Sequence, residues 1–217
     1  MAIKGIIFDF DGVLFDSEKL HREAWKQIFE KRNIFLIDDR SGVGRSDKEF
    51  LKELKTKGAI PQNLNTQKIQ DEKLAILVGL ADKKVGLFPG IQELLSYFKN
   101  RYLLCVASNS DKKFILKILQ NTALLSYFKF VLTVNDVQKP KPAPDIYLLG
   151  AKRMGLKPEE CIVIEDSTVG IEAAKNAGMK CIAVSHTLPK EKLKEADLLL
   201  EKISQEEIER FIEGQVG

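Results

Sequence analysis

Apolar residues along this chain fall in short unbroken runs, without alternation with polar ones. Six recur: "KGIIFDF" at 4–10, "YLLCVAS" at 102–108, "KFVLTV" at 129–134, "CIVIED" at 161–166, "KCIAVS" at 180–185 and "ADLLLE" at 196–201. Such runs suit strands buried on both faces of a parallel sheet. Between them lie stretches of helical period with end signals. "PAPDIYLLGAKRMGL" opens on Pro and Asp and closes on Gly155, and "STVGIEAAKNAGM" opens on a Ser-Thr pair and closes on Gly178. Alternating β and α elements predict an α/β fold, an open doubly wound (Rossmann-like) parallel sheet.

One stretch breaks that rhythm. From Ser17 to about Gly86 there is no strand-like run, and helical patterns fill the space: "SEKLHREAWKQIFEK", "SDKEFLKELKTKG" and "NTQKIQDEKLAILVGLAD". Ser17 is an N-cap candidate for the first of these. Leu20, Ala24 and Ile28 form its apolar stripe, with Trp25 and Phe29 beside it. The pattern predicts an inserted all-α domain over 17–86, with the core made of 1–16 and 87–217. "KKVGLFPG" at 83–90 has the Gly and Pro content of a hinge.

Composition narrows the class. The 217 residues suffice for one sizeable α/β domain or two small ones. A content of 44% hydrophobic and 30% charged residues is that of a globular protein, and no apolar run approaches the roughly 18 residues of a membrane span. Asp9 comes too early for a signal peptide. A net charge of +3, spread along the chain, gives no ground for nucleic-acid binding. Cys105, Cys161 and Cys181 lie inside strand-like runs without CxxC spacing, so they read as buried thiols of a reducing compartment. The expectation is a cytoplasmic monomer with neither membrane nor nucleic acid as partner. With two histidines in the chain, His21 and His186, any metal must be held mainly by oxygens.

The chemistry gathers where the runs end. "IIFDFDG" closes a strand-prone run with Asp9 and Asp11, which are costly to bury unpaired. Either both lie at an exposed strand end, where Asp-Gly is simply a turn, or a cation meets them. In open α/β sheets ligands bind beyond the carboxyl ends of the strands. The runs put Asp9, Asp11 and Gly12 there, then Ser108-Asn109-Ser110, then Glu165-Asp166-Ser167, and "QKPKPAPD" adds Lys139 and Lys141. Either lysine can be a solvated loop residue, and Ser108 can cap the following helix or bind an anion there. Asp145 reads as a helix cap, and His186 as a surface loop residue.

"DFDGVLFDS", "ASNS", "KPKPAPD" and "VIEDSTVGIEAAKNAGM" together resemble the four signature motifs of the haloacid dehalogenase superfamily. Their order and spacing are similar to the phosphatase and β-phosphoglucomutase-like branch, which carries a helical cap after the first strand. The resemblance implies Asp9 as nucleophile and Lys141 as its partner, with Ser108 and the Asn109 backbone N–H on the phosphoryl oxygens. It implies Mg²⁺ held by Asp9, the Asp11 carbonyl and Asp166, with Glu165 adding a ligand or orienting one. That ion suits the chemistry: it prefers oxygen ligands and offsets repulsion between a carboxylate and a phosphate. Asp11, two residues on, is placed to give and take a proton. In the insert, "GVGRSDKEFL" at 42–51 is either an ordinary turn or, by resemblance, a loop whose Arg45 reaches the far end of the substrate. His21 is either a helix-face histidine at a domain junction or a substrate-side group of the same branch, and Lys73 fits that branch only with a gap in spacing.

The implied activity is Mg²⁺-dependent hydrolysis of a small phosphorylated metabolite through a phospho-aspartate. The alternative is a β-phosphoglucomutase-type isomerase. Asp111, an anion just after "SNS", speaks against a second phosphate site and so for the hydrolase. A signalling receiver, from another class, also phosphorylates an Asp, but places its acidic pair on a different strand and has no insert.

Overall fold

The structure is a computed structural model and describes residues 2–35 and 42–215. β1 (Gly5–Phe8) is followed by three helices, α1 (Glu18–Glu30), α2 (Asp47–Thr56) and α3 (Thr66–Lys84). Then come α4 (Ile91–Phe98), β2 (Leu103–Ala107), α5 (Lys112–Asn121), β3 (Val131–Leu132), α6 (Asp145–Met154) and β4 (Cys161–Glu165). The chain ends with α7 (Thr168–Asn176), β5 (Lys180–Val184), β6 (Leu198–Leu200) and α8 (Gln205–Glu213). Each of the six apolar runs contains one strand. The strands form one sheet in the order β3-β2-β1-β4-β5-β6, every neighbour parallel. The order reverses between β1 and β4, and in such sheets the crevice beyond that point is where ligands bind.

The unbroken apolar runs follow from helices on both faces. Ile6 and Phe8 of β1, Leu104 and Val106 of β2, and Ile162 and Ile164 of β4 join one cluster, closed by Leu94, Phe114, Ile118 and Ile208 from α4, α5 and α8. The intervening Ile7, Cys105 and Val163 join the other, closed by Ile146, Tyr147 and Ile171 from α6 and α7. Each such side chain contributes roughly 1.5–3 kcal/mol on burial, so both faces demand apolar residues. β3 is shorter than its run because Thr133 turns the chain: its N–H and hydroxyl both donate to Asp136 Oδ2, at 2.9 and 3.0 Å.

The helices between β1 and α4 pack in two directions. Leu20 and Ala24 of α1 and Leu77 and Ala81 of α3 extend the first sheet-face cluster. Farther out, Ile28 and Phe29 meet Phe50, Leu51 and Leu54 of α2 and Ile69 of α3 in a cluster of their own. The two connections to this insert run side by side. Asp16 N–H donates to the Gly86 carbonyl, and Phe88 N–H to that of Leu14, each at 3.1 Å. α3 continues to Lys84, so the linker begins only at Val85. No helix among the described residues is long and apolar enough to cross a membrane.

The three cysteines are buried, unpaired and on the sheet face covered by α6 and α7. Burial pushes the Cys161 thiol up to about 12 and raises Cys105 and Cys181 as well. A thiol-exchange reagent at pH 8 is therefore expected to label none of them in the native protein and all three in denaturant. Fast labelling of the native protein would mean that this face opens.

Candidate active site

Asp9 leaves β1 without leaving the sheet's hydrogen bonding, since its N–H still donates to the Ile164 carbonyl at 2.9 Å. The chain then tightens. Gly12 N–H donates to the Phe15 carbonyl, and Leu14 and Phe15 N–H groups return to the Phe10 carbonyl. Gly12 has φ +75°, and a Cβ there would lie 1.7 Å from Asp166 Oδ2. Only glycine allows both the backbone angle and that approach. His186 Nδ1–H donates to the Gly12 carbonyl at 2.9 Å and its ring stacks on Phe88, with centroids 3.9 Å apart. It lies in a turn after β5, as a loop residue would, but is only partly exposed, wedged between the Asp11 turn and the linker.

Both acids are buried, and the cation is present. Lys141 Nζ donates to Asp9 Oδ1 at 2.6 Å and to Glu165 Oε1 at 2.7 Å. Lys139 is exposed. Glu165 is fully engaged by protein donors. Oε1 also accepts from Tyr147 Oη at 2.8 Å, and Oε2 accepts from Asp166 N–H, Ser167 N–H and the Ser167 hydroxyl at 2.9, 3.0 and 2.9 Å. These bonds and Lys141 hold its carboxyl below the usual range despite burial. Both Glu165 oxygens thus serve the protein, in line with orienting the site.

Asp9 and Asp166 behave oppositely. Burial and neighbouring anions push both carboxyls well above the usual range, although Lys141 pulls Asp9 back. Asp9, Glu165 and Asp166 offer oxygens within 4.8 Å of one another, and Asp166 Oδ2 is buried with no hydrogen-bond partner. An acceptor left bare among three carboxylates suits a small oxygen-seeking divalent cation. The residues fit such an ion.

Asp11 has different company. Its Oδ1 accepts from Ser17 Oγ at 2.5 Å and from His21 Nε2 at 3.2 Å, and its Oδ2 from Ser110 Oγ at 2.6 Å and Ser108 Oγ at 3.3 Å. Burial opposes the charge, but His21 and the hydroxyls outweigh it and hold this carboxyl well below the carboxylate range. Ser17 thus holds the N-cap position of α1 without making a cap hydrogen bond, and spends its hydroxyl on Asp11. Nor does Ser108 cap α5, because Asp111 does so by accepting from Lys113 N–H at 2.8 Å. Asp145 makes no cap bond for α6, whose N-cap position is Pro144.

Behind His21 stands Lys73, buried in α3. Its ammonium lies 3.0 Å from His21 Nδ1, pairs with Asp47 at the start of α2 and sits 4.6 Å over the Trp25 ring. An ammonium only donates, so Nδ1 accepts and the ring proton on Nε2 faces Asp11. Arg45 pairs with Glu53 of α2. Asn109 turns its side chain to the Gly44 and Lys141 backbones.

A cavity of about 410 Å³ opens between the sheet's end and the insert. Asp9, Asp11 and Ser108–Ser110 line one end, and Glu18, His21, Trp25, Arg45 and Lys73 are among its walls from the insert. The volume is that of a small-molecule site. Tyr147 joins the site without being singled out from sequence, and Ser110 and Ser17 join it in a part the sequence did not give them, as donors to Asp11. For Ser17 a signal existed in "FDS", but a serine before a helix reads equally as a cap.

Comparison with known proteins gives the family. Residues 6–184 match the haloacid dehalogenase-like hydrolase family. A phosphorylated carbohydrates phosphatase of Thermotoga maritima is 32% identical over 86% of this chain and 87% of that protein. The β-phosphoglucomutase of Bacillus subtilis is 32% identical over 93% and 91%. The crystal structure of β-phosphoglucomutase from Clostridium difficile matches with a TM-score of 0.88 and 29% identity, covering 99% of each chain. Match to the family over most of its length, a shared fold and a buried acid–lysine site at the sheet's switch point lead to one conclusion: the chain is a hydrolase enzyme and belongs to the haloacid dehalogenase-like family.

Proposed function

We propose that this enzyme hydrolyses small phosphate monoesters, of sugars or similar metabolites, through a phospho-aspartate on Asp9. The observation that carries the reading is the buried Asp9–Lys141 pair at the end of a cavity that also receives Asp11. An Asp9 oxygen attacks phosphorus while the bond from phosphorus to the ester oxygen breaks. Lys141 keeps Asp9 oriented and offsets charge on the phosphoryl oxygens, and Ser108 with the Asn109 backbone N–H holds those oxygens. Asp11 gives its proton to the departing alkoxide. It then takes one from the water whose oxygen displaces Asp9 from phosphorus. Its donors favour the ionised form that a base needs, and the incoming phosphate's charge beside it raises its affinity for the proton that an acid needs.

The divalent ion would be held by Asp9, Asp166 and the Asp11 carbonyl, with Glu165 orienting the set. Mg²⁺ there supplies charge neutralisation between carboxylate and phosphate. Residues 17–86 act as a cap over a core of 1–16 and 87–217, and His21 and Arg45 face the organic part of the substrate.

A second reading, a β-phosphoglucomutase-type isomerase, draws on the Asp11–His21–Lys73–Asp47 chain, which ties the acid–base group to the insert. Asp111 no longer counts against it, because its carboxylate is used as a helix cap outside the cavity lining. Hydrolysis remains the preferred reading. Arg45 is engaged by Glu53 and Lys73 by Asp47, so neither is left over for a second phosphate.

Three outcomes are expected. Removal of divalent cations by chelation should abolish phosphate release, with Mg²⁺ restoring it and Ca²⁺ doing so poorly, because a larger ion with looser coordination misplaces Asp9. Undiminished turnover after chelation would remove the ion from the reading. Asp9→Asn should stop both phospho-enzyme formation and turnover, whereas Asp11→Asn should slow turnover by about 10²–10⁴-fold; rapid-quench labelling with a radioactive phosphate ester distinguishes them. Incubation with β-glucose 1-phosphate, Mg²⁺ and a trace of glucose 1,6-bisphosphate should release inorganic phosphate. Fast formation of glucose 6-phosphate with phosphate lagging would establish the isomerase instead.

A further inference from the structure

One contact joins the insert to the sheet's end through backbone atoms. Asn109 Nδ2 donates to the Gly44 carbonyl, in the turn before α2, at 2.9 Å. The same side chain grips the Lys141 residue twice: Nδ2 donates to its carbonyl at 3.2 Å, and Oδ1 accepts from its N–H at 3.0 Å. Asn109 is 8% exposed, so breaking any of these bonds would strand a polar group in poorly hydrated surroundings. Gly44 also touches the sheet's end directly. It has φ +74°, and a Cβ there would lie 2.4 Å from Ser167 Oγ and 2.6 Å from Ser167 Cβ. Ser167 gives its N–H and hydroxyl to Glu165, whose other oxygen takes the Lys141 ammonium. Two routes therefore leave one glycine of the insert and meet at Lys141, one through its peptide and one through its ammonium.

We propose that the Asn109 side chain is a positioning residue that couples the seating of the Gly44 turn to Lys141. With the turn seated, Asn109 fixes the Lys141 peptide and the ammonium aligns on Asp9. With the turn lifted, that grip loosens and the floor of the site is unaligned. A carboxamide suits the task because it offers two donors to two carbonyls and an acceptor to one N–H. A carboxylate would face both carbonyls with an oxygen. The inference rests on the reading of Asp9 and Lys141 given above, and it adds a function for Asn109 distinct from its backbone N–H.

A double-mutant cycle tests it. Asn109→Ala removes the grip, and Gly44→Ala prevents seating without touching any reacting group. Each should lower kcat for a phosphate ester by about 10–100-fold, the scale of a small misplacement of a reacting group, with KM changed far less and the protein still folded, though with a lowered thermal melt from the stranded polar groups. The double variant should be no slower than the slower single one, because both cut the same link. Losses that multiply, or that fall on KM alone, would overturn the proposal. If Asn109→Ala does not fold, Asn109→Asp takes its place in the cycle, since it keeps the acceptor for Lys141 N–H. Asp9→Asn serves as the control: turnover surviving in it would defeat the underlying reading, whereas multiplying losses with an inactive Asp9→Asn would defeat only the coupling.

Discussion

Lys141 sits with 1% of its surface exposed between two carboxylates, and much of the molecule is arranged to make that tolerable. Removing one partner from such a buried set costs about 3–5 kcal/mol, because it leaves an unmatched charge in a poor solvent. Besides Lys141, Glu165 takes four donors: the Asp166 N–H just past β4, the N–H and hydroxyl of Ser167 at the start of α7, and Tyr147 of α6. Asp9 receives far less help. The charge that Glu165 absorbs is thus structural, and the charge that Asp9 carries is held ready for something else.

The same contrast organises the rest of the pocket. Four carboxylates, Asp9, Asp11, Glu165 and Asp166, face one fully buried lysine and one imidazole. Asp11 is matched by hydroxyls and His21, and Glu165 by backbone and side-chain donors. Asp166 keeps a bare oxygen. The imbalance is local, and it lies where the strand order reverses between β1 and β4. The insert reaches the same place from outside, through Lys73 behind His21 and through Gly44 against Asn109.

The sheet was legible because its evidence is local: strands covered on both faces require runs such as "CIVIED", and neighbouring residues reveal them. The acids and Ser108 were legible for a related reason, since each sits where a run stops, whereas Lys141 was separated from Lys139 only by the family resemblance. What stayed hidden depends on distant partners. Lys73 meets His21 across 52 positions, and no spacing rule reports whether two helices cross at the right height. His186 is a loop residue as its sequence suggests, but its packing stayed hidden because its stacking partner, Phe88, belongs to a linker whose path is set by the fold. Ser17 misled because a hydroxyl before a helix has two possible uses, and a nearby carboxylate won. Arg45 is on the cavity wall, but Glu53, eight residues on, already holds it.

The paired linkers constrain how the insert can move. Asp16 with Gly86 and Leu14 with Phe88 form rungs between two chain crossings, so the connection behaves as a ribbon and not as two independent strings. A ribbon bends readily across its width and resists twist and sideways shear. Displacing the helices relative to the sheet would require bending this ribbon or breaking its rungs. One edge of the ribbon is continuous with the turn that carries Asp11, and His186 is clamped between that turn and Phe88 on the other edge. The ribbon and the turn bearing Asp11 thus share one stretch of backbone, so whatever fixes the angle of the insert also fixes where that carboxylate stands.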